Sequence, residues 1–155
     1  MAASPEAARL SQAEKITAWC LAALIASLLA IGLASSLVLR HILQALPAAV
    51  ILAAVAKRRR GATYAALAVF LFWLLIMTLI WFFLLGLAKI LTGTFSPAEI
   101  TFTITTGIAT AFGIGAVLMA RRNTTLGRSL IAFAVGAALQ ISAMWLSLQP
   151  MFAHR

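Results

Sequence analysis

Apolar side chains run through this sequence in long stretches, separated by short connections that are basic or polar. Neither the alternation of a half-buried strand nor the one-sided stripe of a surface helix describes them. Their length suits helices that cross a bilayer, which need about 20 apolar residues each. The clearest covers 62–90 and contains FLFWLLIMTLIWFFLLG, with Phe70, Phe72, Trp73, Trp81, Phe82 and Phe83. Large apolar surface on every side predicts a helix that mostly faces lipid, with Trp81 and its neighbours toward an interface.

Residues 16–56 pose a harder question. One helix of that length would reach about 61 Å at ~1.5 Å per residue, against a hydrocarbon core of roughly 30 Å. Two spans, 16–34 and 36–56, fit with a turn near Gly32 to Ser36. Pro47 falls inside the second, where it should kink the helix and free a backbone carbonyl. A rival reading takes 16–34 as a cleaved leader, with Gly32 and Ala34 framing the cut. Its length and the two preceding glutamates speak against it.

The fourth span begins at Ser96-Pro97-Ala98-Glu99. Ser96 suits the cap, Pro97 the first helical position, and Glu99 the return arm of a capping box. Spans at 97–120 and 128–149 complete the set, the last ended by Gln149-Pro150. Residues 1–15 are read as a short cytoplasmic tail and 150–155 as a short C-terminal one. The expected fold is all-α: a polytopic transmembrane bundle of about five spans, with four as the alternative and no β-sheet.

Composition sharpens this. Hydrophobic residues make up 64% of the 155 and charged residues only 10%, far from a soluble domain. The net charge of +9 comes from 12 Lys and Arg against three acidic residues, all Glu. Lys57-Arg58-Arg59-Arg60 and Arg121-Arg122 with Arg128 fall between spans. Five spans with a cytoplasmic N-terminus leave only Arg40, Lys89 and Arg155 outside, so nine of the 12 basic residues lie inside. The positive-inside rule explains that placement, and the clusters also attract anionic lipid headgroups. No aromatic-basic interleaving points to nucleic acid, so none is expected as a partner. The expected setting is a cell membrane, the inner membrane of a bacterium.

Few residues carry chemistry. Measured from the outer helix ends, Gln44, Thr106 and Gln140 each lie about 12–14 Å deep by helical rise, so they can form one polar layer. Arg40 and His41 sit above it. Ionisable groups within a span are functional candidates by default, yet an arginine near a helix end also snorkels to the headgroups. Span five carries a row of small and polar residues, Ser129, Ala132, Gly136, Gln140, Ala143 and Ser147. Span four carries Thr103, Thr106, Thr110 and Gly113, and a second row of Gly107, Ala111 and Gly115. Gly107, Ala111, Gly115 and Gly136 are read as a helix-packing face joining spans four and five, or joining copies.

No catalytic set, metal site or cofactor is indicated. Cys20 is the one cysteine and there is no Asp. Pairing His41 with His154 on a haem is open topologically, but nothing fixes a histidine in the tail. Glu99 is accounted for by its cap. The sequon at Asn123 falls in an expected cytoplasmic loop. The expected role is therefore non-enzymatic: a bundle in the lipid bilayer that assembles with itself or with a larger membrane complex. The alternative is a small transporter or channel that uses the polar layer.

Overall fold

The computed structural model describes residues 10–87, 95–120 and 124–153, with side chains in the last stretch described through Met151. Five helices are long and apolar enough to cross a membrane: α1 (Gln12–Ala34), α2 (Val38–Ala56), α3 (Ala62–Leu84), α4 (Pro97–Met119) and α5 (Leu126–Ser147). A single turn, α6 (Pro150–Ala153), follows. No strand occurs among the described residues. Expectations that involve Glu6, Arg9, Lys89, Arg121, Arg122, Asn123, His154 or Arg155 lie outside the described residues.

The same device starts two of the helices. Ser11 Oγ accepts from the Glu14 N–H at 3.2 Å, and the Glu14 carboxylate accepts from the Ser11 N–H at 2.8 Å. Ser96 and Glu99 make the same pair at 3.2 and 2.7 Å. Each box satisfies backbone donors that a helix start leaves open. The first box extends α1 beyond the expected start at residue 16, so Glu14 and Lys15 belong to its first turn rather than to a tail. Between α1 and α2 the chain reverses through Ser36, at φ +60°, and the Leu37 N–H donates to the Gly32 carbonyl at 2.9 Å. Between α2 and α3 it reverses through Arg58, at φ +54°, and Gly61, at φ +85°. Gly61 tolerates that left-handed conformation at no steric cost. Pro47 lies within a continuous α2.

Neighbouring helices run α1, α2, α5, α3, α4 and back to α1, with α2 and α3 also meeting across the middle. Their facing sides make one core, from Leu21, Leu24 and Leu28 of α1, Ala48, Ile51 and Val55 of α2, and Ala66, Val69, Phe70, Trp73 and Met77 of α3. This qualifies the expectation that the third span is largely exposed to lipid: one side of it is buried, while most of its residues are not. Helices α2, α4 and α5 all pack on α3, which buries Ala66, Val69, Phe70, Trp73 and Met77. Only Leu71, Leu75, Thr78 and Phe82 stay exposed along its middle.

Glycines on the neighbours explain the change. A Cβ added at Gly113 of α4 would lie 2.5 Å from the Phe70 ring. One added at Gly136 of α5 would lie 2.5 Å from the Ala65 carbonyl oxygen and 2.9 Å from its Cα. Where lipid is as apolar as the side chains, such close approach and the dispersion contacts it permits drive helix association. The expected seam between α4 and α5 is replaced by two separate seams, each against α3.

Candidate functional site

Two turns into α2, Gln44 turns inward and meets α5. Its Nε2 donates to Ser147 Oγ at 3.0 Å and lies 3.4 Å from Met144 Sδ. Ser147 Oγ in turn donates to the Met144 carbonyl at 2.7 Å. One turn deeper, Gln140 Nε2 donates to the backbone carbonyl of Gln44 at 3.3 Å. Pro47 bears on this contact. Proline lacks the N–H that would occupy the Leu43 carbonyl, and its ring loosens the turn before it, where Gln44 sits.

Gln140 is fully buried, and its Oε1 has no hydrogen-bond partner. Rotating the amide would point Oε1 at the Gln44 carbonyl, acceptor against acceptor, so the Nε2 contact dictates the orientation. An orphaned carbonyl oxygen of this kind costs about 1–3 kcal/mol. The seam is thus well bonded at Gln44 and half bonded at Gln140.

The other expected members of the layer stand apart from it. Thr106 is fully buried on α4, but its Oγ1 donates to the Phe102 carbonyl of its own helix at 2.8 Å. Thr103 and Thr110 do the same toward Ile100 and Gly107, at 2.7 and 2.8 Å. A threonine satisfied by its own helix behaves as a small, nearly apolar packing residue. Because α4 packs on α1 and α3, its threonine row does not reach the two glutamines.

Arg40 and His41 occupy the first turn of α2. His41 Nδ1 lies 3.0 Å from the Leu37 carbonyl, which makes Nδ1 the donor of the ring. The ring packs where Gly32 leaves room, since a Cβ at Gly32 would come within 2.8 Å of His41 Cβ. Arg40 Nε is buried without a hydrogen-bond partner. Among the described residues no group of three or more His, Cys, Asp and Glu is placed to hold a metal ion.

Of the expected packing residues, Gly136 lies against α3. Gly107, Ala111 and Gly115 turn out of the bundle. Ala111 is exposed, and a Cβ at Gly107 or Gly115 meets nothing within 4 Å among the described residues. The row points outward because α4 turns Thr103, Thr106, Thr110 and Gly113 inward. Ser147 is the seam residue that a reading by depth omits. Its place in the small-residue row of α5, seven residues after Gln140, is the signal that marks it.

These features define a multi-pass α-helical membrane bundle in which Gln44, Gln140 and Ser147 join α2 to α5. No family model matches the sequence, and no curated protein or solved structure resembles it closely enough to count as a match.

Proposed function

We propose that this chain is a non-enzymatic membrane bundle that assembles with itself or with a larger membrane complex. Its setting is a bacterial inner membrane, with the basic end on the cytoplasmic side. The observation that carries the reading is the outer face of α5. This helix buries only Ser129, Gly136, Gln140 and Ser147. Its outward side presents Ala134, Ala138 and Ser142 at steps of four, flanked by exposed Ile131, Val135, Ile141 and Trp145. Small residues at that spacing let a second helix approach closely, and a serine beside them can hydrogen-bond across the contact. The charge asymmetry supports the orientation.

Disulfide cross-linking in native membranes tests this reading. In a Cys20→Ser background, Ala138→Cys is expected to give a cross-linked dimer or a cross-linked heterocomplex. Thr78→Cys on the exposed side of α3 is expected to give neither. Equal cross-linking at both positions, or none at either, removes α5 as the assembly face.

The transporter reading keeps one specific observation in its favour. Gln140 Oε1 and Arg40 Nε are both buried without partners, as groups awaiting a polar ligand would be. Uptake into liposomes that is lost on Gln140→Leu while folding is retained would move the assignment to this alternative.

A further inference from the structure

A cavity lies at the basic end, away from the glutamine seam. Its volume is about 770 Å³, and its wall includes Arg58, Arg59, Arg60, Thr63, Tyr64 and Thr124. The α3 N-terminus lines it at Gly61 and Ala62 with no side-chain cap, and the Ala62 N–H donates to the Arg59 carbonyl at 3.1 Å and the Tyr64 N–H to the Gly61 carbonyl at 2.9 Å. A helix start carries partial positive charge, so it adds to the arginines. Thr124 Oγ1 is buried there and has no hydrogen-bond partner. Among the described residues Glu14 is the acidic one on the wall, and its carboxylate accepts from the Ser11 N–H of its own cap. Arginine forks, hydroxyls and the positive end of a helix together suit a phosphate group.

A second groove begins where this cavity ends. It holds about 350 Å³ and is lined by Ile16, Ala111, Phe112, Gly115, Ala116 and Met119. Ile16, Ala116 and Met119 belong to both walls, so the charged cavity opens directly into an apolar channel along α4. The small residues Gly115 and Ala111 make its floor, and Phe112, 68% exposed, stands as its side. From Ala111 to Met119 the channel runs about 12 Å along the helix.

We propose that this pair of cavities binds an anionic phospholipid, with its phosphate among Arg58, Arg59 and Arg60 and an acyl chain along Ala111 and Gly115. A free anion fills only the first cavity, and a second protein helix fills only the second. A molecule with a phosphate at one end and hydrocarbon at the other fills both. The site also accounts for the outward pair Ala111 and Gly115, which no helix of this chain covers among the described residues. It rests on membrane placement alone and is independent of the α5 assembly face.

Native mass spectrometry of the detergent-solubilised full chain tests the proposal, titrated with phosphatidylglycerol, phosphatidylcholine and inorganic phosphate. Phosphatidylglycerol is expected to be retained in preference to phosphatidylcholine, and excess phosphate is expected not to displace it. Replacing Arg58, Arg59 and Arg60 together by Gln should weaken retention on the order of a hundredfold, from ~1 kcal/mol per basic residue. Gly115→Leu fills open space, so helicity and melting temperature should hold while retention falls about tenfold through lost chain burial. Equal retention of the two lipids overturns the proposal, as does displacement by phosphate, which would mark a free-anion site. Unchanged retention in Gly115→Leu, or loss of a dimer in that variant, also overturns it, the latter by making a second copy the occupant of the groove.

Discussion

The α2–α5 seam and the outer face of α4 look alike as strings of residues and differ completely in space. Both carry small residues at steps of four. On α5 Gly136 brings the helix onto the Ala65 backbone of α3, and toward α2 Gln140 and Ser147 meet Gln44. On α4 the row of Gly107, Ala111 and Gly115 meets no helix among the described residues. A small-residue row therefore states that something comes close. It does not state whether that something is a helix of the same chain, a lipid or another copy.

Substitutions can break or sharpen this contrast. The largest effect is expected at Gly136. Leucine there has no room against backbone atoms of α3, which cannot rotate away, so Gly136→Leu should cost at least ~3 kcal/mol or abolish the folded bundle. Melting in detergent, followed by circular dichroism, measures it. A melting point within error of wild type would remove the seam as the close contact of the fold.

Gly113→Ala should have a smaller effect. Its new methyl meets the Phe70 ring, a side chain that can shift, so about 1–2 kcal/mol is expected in the same assay. A cost as large as that of Gly136→Leu would mean that the ring is as fixed as the backbone.

Gln140→Leu comes next. It gives up one long hydrogen bond and also removes an orphaned oxygen, so stability should hold or rise, by up to about 2 kcal/mol. A loss of several kcal/mol would indicate that Oε1 has a donor in the membrane.

The smallest effect is expected on the open row. Gly107→Ala should be neutral or gain up to ~1 kcal/mol, because the methyl meets nothing and the helix loses a flexible residue. A clear loss of stability would show that Gly107 is covered in the membrane, and the contrast between the two rows would then be one of partner rather than of openness.

Much of the architecture was legible in the residues because it depends on local properties. Apolar length sets the five spans, and Ser-x-x-Glu sets the start of α4. The same motif at Ser11 and Glu14 starts α1 ahead of the apolar run, within a stretch whose charges also suit a tail. The candidate site was legible only in part. Gln44 and Gln140 share a depth and meet, whereas Thr106 shares the depth and does not. Depth follows from counting residues along a helix, but the azimuth and the neighbouring helix do not.

The sequence by itself determined the class of protein, the number of spans, their approximate ends and the positive face of the bundle. Each of these follows from transfer of single segments between water and lipid, which needs no knowledge of the other segments. Only the tertiary structure decided that α3 is packed on by three neighbours, that α4 and α5 each turn to α3, and that Gln140 meets the Gln44 backbone beside Pro47. It also decided that the arginines of one loop share a cavity with an apolar channel on α4. In a bilayer the hydrophobic effect does not choose among helix faces, so the choice falls to shape: where a glycine lets a neighbour in, and which polar groups then come within reach.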